Sequence, residues 1–96
     1  MATDRDTYVE KLKEQIDQWN AKIDELEQAV EQGKVESRVL AEERLKDLRY
    51  RRDDMRKRYE GLQESSGNVW DDLKRGADAA WQDLEKSFER ARAEFE

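Results

Sequence analysis

Apolar side chains recur along this chain at alternating steps of three and four residues, and this spacing constrains the fold more than any other feature. Such steps return to one face of a helix, as the a and d positions of a heptad repeat do, and no segment alternates like a strand. The three stripes are Val9, Leu12, Ile16, Trp19, Ile23, Leu26 and Val30; Ala41, Leu45, Leu48, Arg52, Met55, Tyr59 and Leu62; and Trp70, Leu73, Ala77, Trp81, Leu84, Phe88, Ala91 and Phe95. Only Arg52 breaks their apolar character. We therefore predict an all-α protein in which the members of these stripes other than Ala41, Arg52 and Ala91 form the helix–helix interfaces.

The chain has no proline and only four glycines, so few places can end a helix. Thr3 and Thr7 are each followed by an acid three residues later, which is typical of a helix start. Residues 60–68 hold two glycines, two serines and an asparagine, a composition that predicts a helix end, a turn and a new start. Asp71 and Asp72 would then lie in the first turn of the new helix, where acids are favourable.

Gly33–Ser37 is a second candidate joint. The step from Val30 to Ala41 is eleven residues, about three whole turns, so a continuous helix keeps a single stripe across it. One glycine costs a helix only about 1 kcal/mol. We therefore predict one domain, 1–96, with a long coiled-coil helix over 3–63, a turn over 61–68 and a shorter antiparallel helix over 68–95. The alternative is a three-helix antiparallel bundle broken near Gly33.

The composition excludes most chemistry. There is no cysteine and no histidine, so thiolate nucleophiles, disulfides, cysteine zinc sites and the usual general base are absent from the sequence. The carboxylates lie on the polar faces of the predicted helices, and no Gly-rich phosphate loop occurs. We expect no enzyme activity, no catalytic residues, no cofactor and no metal site.

Charge is unevenly distributed along the chain. The net charge is −6, but residues 1–37 carry ten acids and five bases, whereas residues 38–58 carry five acids and nine bases. The cluster Arg49–Arg58 could touch phosphates, or it could pair with acidic helices. The overall negative charge favours the second interpretation, so we expect nucleic acid not to be a partner.

The last stripe is rich in aromatic residues, and its helix could lie on a membrane surface or cover another helix. Its eight acids against five bases over 67–96 oppose adsorption to anionic lipid, which favours packing against a helix. No signal peptide and no membrane-spanning run is visible, so we expect a cytoplasmic protein.

The lengths of the predicted helices point to an oligomer. A third helix of about 42 Å folding back on a first helix of about 90 Å covers only its second half. The stripe from Val9 to Val30 would stay in water, although each buried Leu or Ile contributes about 1.5–3 kcal/mol. We therefore predict an antiparallel homodimer or higher oligomer, acidic half against basic half; if the chain breaks at Gly33, a monomer suffices.

Two segments are more specific than a heptad stripe. They are Tyr8-Val9-Glu10-Lys11-Leu12-Lys13, continued by Ile16, Asp17, Trp19, Asn20, Ile23 and Leu26, and Ser66-Gly67-Asn68-Val69-Trp70-Asp71-Asp72-Leu73-Lys74, followed by Gly76, Ala80, Trp81, Asp83, Leu84 and Phe88. Both resemble small bacterial coiled-coil proteins described as stress-response proteins, first noted in cyanobacteria. Gly33 and the Arg49–Arg58 cluster depart from the Ala, Glu and Lys pattern of that family. The resemblance implies a stress setting and no catalytic residues.

Taken with the stripes, this predicts a non-enzymatic coiled-coil protein that acts through self-association or through an unidentified protein partner in a bacterial stress response. The alternative is a peripheral protein of a membrane or lipid surface that uses the aromatic C-terminal helix.

Overall fold

Three α-helices account for nearly all of the residues that the structure describes. The computed structural model describes residues 4–95, with side chains to residue 93, and consists of α1 (Asp4–Glu31), α2 (Arg38–Glu64) and α3 (Gly67–Phe95). Within that range there is no strand, which confirms the all-α prediction. The Cα atoms fill a body of 48 × 22 × 17 Å. Thr3, one of the predicted helix starts, lies outside the described residues, and Thr7 lies inside α1.

The prediction of one continuous helix over 3–63 is wrong, because the chain turns at Gly33. The φ of Gly33 is +70°, a left-handed conformation that glycine adopts at little cost. The Lys34 N–H donates to the Ala29 carbonyl at 2.9 Å and the Gly33 N–H to the Val30 carbonyl at 3.1 Å. This is the Schellman pattern that satisfies the last carbonyls of a helix. The chain is therefore a three-helix protein broken near Gly33, which was the alternative prediction.

A capping serine starts the second helix. The Ser37 backbone is extended, with φ −130° and ψ 112°, and its side-chain oxygen accepts from the Leu40 N–H at 3.3 Å. A serine in this position satisfies one of the free N–H groups of the first turn. The chain thus reverses within the six residues from Gln32 to Ser37.

The second turn is tighter than the predicted span of 61–68. α2 continues to Glu64, only Ser65 and Ser66 lie outside the helices, and α3 begins at Gly67 with φ +64°. Asn68 lies inside α3, one residue after its start. Because the helix begins at Gly67, Asp71 and Asp72 fall beyond its first turn, so their expected place at the helix N-terminus was also wrong.

Helices of matched length cover one another. The three have 28, 27 and 29 residues, each about 42 Å long. Consecutive helices run antiparallel, since Glu27 near the end of α1 pairs with Arg49 of α2 and Arg5 near its start reaches Leu62. α2 packs closely against both neighbours, whereas the α1 and α3 backbones are further apart.

One continuous apolar core lies between the helices. Its buried members are Leu12, Ile16, Trp19, Ile23, Val30, Ala41, Leu45, Leu48, Met55, Leu62, Trp70, Ala77, Leu84 and Ala91. No buried polar or charged residue occurs among the residues that the structure describes. The α1 stripe is covered within one chain, so the length argument for an antiparallel dimer no longer applies.

Two glycine substitutions test the importance of the Gly33 turn. We expect Gly33→Ala to lower the free energy of unfolding by about 1–2 kcal/mol, because the Cβ of alanine makes the left-handed backbone conformation sterically unfavourable. Gly61→Ala is the matched control: it lies within α2, where a Cβ would meet Leu73 Cδ1 at an ordinary 3.8 Å. We expect it to raise that free energy by up to about 1 kcal/mol. Urea denaturation measures both, and equal effects would contradict this account of the turn.

Candidate functional site

Aromatic rings bridge the space between α1 and α3. Tyr8 and Trp70 have ring centroids 5.7 Å apart, at 77°. Trp19 contacts Trp81 at 5.6 Å and Phe88 at 4.6 Å, with the ring planes at 84° and 89°. All three pairs are edge-to-face, a favourable arrangement for aromatic quadrupoles. We call these five rings the aromatic seam.

Cationic side chains lie over the seam at both ends. The Lys74 ammonium lies 5.1 Å from the Tyr8 ring centroid and 5.9 Å from that of Trp70. The Lys22 ammonium lies 5.0 Å from Trp19 and 5.4 Å from Phe88. Each lysine extends its stem across apolar surface and keeps its charge near water, where cation–π attraction contributes about 0.5–1 kcal/mol.

Arg5 joins all three helices at the end where the seam begins. Its guanidinium donates to the Leu62 carbonyl at 3.1 Å and to the Ser65 carbonyl, and its Cζ lies 5.7 Å from the Trp70 ring centroid. The last carbonyls of a helix carry partial negative charge, so a cation there is stabilising. One α1 side chain thus anchors the end of α2 and the start of α3.

Tyr8 and Asp78 form a hydrogen bond across the seam. The Tyr8 hydroxyl donates to Asp78 Oδ1 at 2.6 Å. Burial raises the pKa of the Tyr8 hydroxyl well above its usual range, and the hydrogen bond to Asp78 and the charge of that carboxylate raise it further. The phenol therefore stays a neutral donor through the physiological pH range.

This contact predicts a pH dependence at alkaline pH. The folded-state pKa of Tyr8 is raised, so its contribution is complete below the unfolded pKa of about 10 and is lost as the pH rises above that value. We expect the difference in free energy of unfolding between wild type and Tyr8→Phe to shrink above about pH 10. Tyr50→Phe, at a position 75% exposed on α2, is the control. Parallel wild-type and Tyr8→Phe profiles in urea denaturation would contradict the role of the bond.

Beside the seam runs an open groove. Two hollows of about 210 and 320 Å³ lie along it, and both include part of Trp81. The half-buried rings of Tyr8, Trp81 and Phe88 form its floor. The α1 and α3 backbones are further apart than either is from α2, and the rings lie between them. We call this feature the α1–α3 groove.

The two rims of the α1–α3 groove carry opposite charge over most of their length. The α1 rim is formed by Lys11, Gln15, Gln18 and Lys22, and the α3 rim by Asp78, Glu85, Glu89 and Arg92. The α1 rim therefore has two positive charges and the α3 rim has three negative charges before Arg92. An apolar floor between charged rims is a surface suited to an amphipathic helix.

A larger hollow, between α1 and α2, is less suited to a specific ligand. Its volume is about 620 Å³, and it is lined by Arg5, Asp6, Val9, Glu10, Lys13, Tyr59 and Gln63. Most of these are charged side chains of mixed sign. Ligand sites in proteins are mostly apolar with a few convergent polar groups, which is not the composition here.

Most predicted interface residues lie in the core, and a minority lie at its edge. The half-buried positions are Val9, Leu26, Tyr59, Leu73, Trp81 and Phe88, whereas the side chain of Phe95 lies outside the described residues. Sequence reasoning missed Arg5, Tyr8, Lys22 and Lys74, the residues that link α1 to α3. They lie beside the stripes, so the three- and four-residue spacing of the apolar residues does not identify them.

The Arg49–Arg58 cluster is paired largely within its own helix. Four ion pairs involve it: Arg49–Glu27 at 2.8 Å, Arg51–Asp47 at 3.0 Å, Arg52–Asp53 at 3.3 Å and Arg58–Asp54 at 2.9 Å. Only Glu27 comes from an acidic helix, so aspartates of α2 do most of the pairing that was expected of α1 and α3. Such exposed pairs contribute about 0–1 kcal/mol each.

In residues 4–93, no group of three or more acidic side chains is arranged to hold a metal ion. None of the three helices, as far as they are described, combines the length and apolarity needed to cross a membrane.

The seam also predicts a contrast between two adjacent residues. Trp19 is 6% exposed and contacts two rings of α3, whereas Gln18 is exposed on the groove rim. We expect Trp19→Asp to lower the free energy of unfolding by about 3–5 kcal/mol or more, since it removes a buried aromatic and places a charge there. Gln18→Asp should have a much smaller effect. Equal shifts in thermal denaturation would contradict the helical register.

Comparison with protein families, with curated proteins and with solved structures finds no match for this chain. The stress-response setting implied by the resemblance therefore stays a prediction.

Proposed function

We propose that this protein is not an enzyme and that it acts by binding an amphipathic helix of a protein along the α1–α3 groove. The observation that carries the proposal is the half-buried aromatic floor between a basic and an acidic rim. Aromatic side chains are the commonest anchors of protein interfaces, and flanking charges select the partner.

The bound helix would complete a fourth position in the bundle. α1 and α3 run in the same direction on either side of the groove, and their backbones are further apart than either is from α2. An apolar stripe of the partner would cover Tyr8, Trp81 and Phe88. Its flank over α1 would be acidic and its flank over α3 basic, matching the two rims.

A non-catalytic role is supported by the chemistry available to the chain. The sequence has neither histidine nor cysteine, and the acids of the α1–α3 groove are exposed on its rim. The proposed setting is a bacterial stress response, which rests on the resemblance of residues 8–26 and 66–88 to small stress-response coiled-coil proteins.

A membrane or lipid surface is the alternative partner. To bind lipid with its rings, α3 would have to exchange the contacts of Trp70, Trp81 and Phe88 with α1 for contacts with acyl chains. α3 also carries seven acids and five bases, which opposes anionic lipid. Both facts favour a protein helix over a lipid surface.

A designed peptide tests the proposal. The probe is a synthetic helix about as long as α1 with leucine at heptad a and d positions, glutamate along one flank and lysine along the other. The control peptide has the same composition with its charges shuffled between the flanks. We expect the segregated peptide to bind about tenfold more tightly, because both of its flanks match a rim. Tryptophan fluorescence and the anisotropy of a labelled peptide measure binding.

Two charge-matched variants locate the binding site. Lys22→Glu reverses a charge on the α1 rim, and Lys86→Glu makes the same change at an exposed position of α3 outside the lining of either groove hollow. We expect Lys22→Glu to remove the preference for the segregated peptide and Lys86→Glu to keep it. Equal binding of both peptides by the wild type, or binding of neither at millimolar concentration, would refute the proposal.

A further inference from the structure

We infer that the α1–α3 groove is covered by the same face of a second copy of this chain, whose α1 and α3 together take the place of the single bound helix, and that the two copies associate groove to groove in parallel. This inference rests on the proposed function and names its partner. The two-fold axis would run along the bundle, between the facing grooves, so that α1 of each copy lies over α3 of the other. Such a contact is isologous and closes at two subunits.

The first support is that opposite charges lie at the same level along the bundle. Lys11 and Asp78 line the same hollow, and Lys22 lines the next one with Glu85 and Glu89. A two-fold axis parallel to the helices leaves the level of every residue unchanged. Lys11 of one copy would therefore face Asp78 of the other, and Lys22 would face Glu85 and Glu89, twice in each dimer.

The second support is that the same charges oppose the reverse orientation. In an antiparallel arrangement α1 lies over the reversed α1 of the other copy. Lys11 and Lys22 are eleven residues apart and lie on either side of the middle of α1. Lys11 of each copy would therefore come close to Lys22 of the other copy. On α3, Asp78 would come close to Glu85 of the other copy. Like charges in these positions select against this orientation.

The third support is the apolar floor. The half-buried rings of Trp81 and Phe88 lie between the charged rims in one of the two hollows. In the parallel dimer the two grooves would close into one channel lined by these rings, which would be shielded from bulk water. Burial of rings would supply affinity, and the rims would supply orientation.

Solution mass and charge reversal test the second copy. We expect sedimentation equilibrium of the intact protein to give a mass twice the 11.5 kDa of one chain as the concentration rises. Lys22→Glu should weaken the dimer about tenfold or more, because the reversed charge is present in both copies and affects both symmetry-related contacts. The double variant Lys22→Glu/Glu89→Lys restores opposite charges and should recover most of the affinity, whereas Lys86→Glu should leave it unchanged. Circular dichroism checks that each variant is folded.

Cross-linking tests the orientation. The chain has no natural cysteine, so single-cysteine variants cannot link within one molecule. Gln18 and Glu85 are both exposed and line the same hollow from opposite rims. We expect a short bis-maleimide to link a mixture of Gln18→Cys and Glu85→Cys chains faster than either variant alone. Faster linking of Gln18→Cys to itself would overturn the parallel arrangement.

The outcomes separate the two proposals. A mass of one chain at every concentration, together with tight binding of the segregated peptide, would overturn the second copy and leave the proposed function in place. Failure of both association and peptide binding would overturn both. A dimer that Lys22→Glu leaves intact would show that association uses another surface, which also overturns the inference.

Discussion

A single left-handed residue determines the shape of this molecule. With helical backbone at Gly33, the first two stripes would join along one helix of about 90 Å, and half of its apolar face would need another chain. With φ at +70°, the same residues form two helices of equal length that cover each other. The helical and left-handed conformations of glycine differ little in backbone energy, whereas the apolar surface that is buried in one case and exposed in the other is large. The turn is therefore favoured because it allows the first two helices to bury their apolar stripes against each other.

The three helix pairs are not equivalent, and the unequal packing creates the site. Towards α2, α3 presents Gly76, where a Cβ would lie 2.9 Å from Arg58 Nη1. Towards α1 it presents Trp70, Trp81 and Phe88, which need space. The backbones of α1 and α3 are accordingly further apart than either is from α2, with the rings in the space between them. The groove is thus a consequence of residue size, and the charges on its rims follow from which polar positions happen to flank the rings.

The helices were predictable from the sequence, but their division was not. Steps of three and four residues identify the faces of all three helices, and Ser65, Ser66 and Gly67 marked the second turn. Gly33 could not be decided in the same way, because the eleven-residue step from Val30 to Ala41 suits a continuous helix and a broken one equally. Four of the five rings of the seam, Trp19, Trp70, Trp81 and Phe88, belong to the stripes. Tyr8, and the Lys74 that lies over it, gain their roles only when α1 and α3 lie side by side, a pairing that periodicity does not encode.

The odd number of helices has a mechanical consequence. The antiparallel order of α1, α2 and α3 places residue 4 and residue 95 at opposite ends of a body 48 Å long. Tension applied between these points runs along the helix axes, so it slides neighbouring helices past each other and strains many side-chain contacts at once. A hairpin of two helices, pulled at adjacent ends, would peel apart one turn at a time. The Arg5 contacts to the carbonyls of Leu62 and Ser65 lie at the loaded end, where sliding would begin. We therefore expect the bundle to resist extension along its length through the side-chain contacts between its helices.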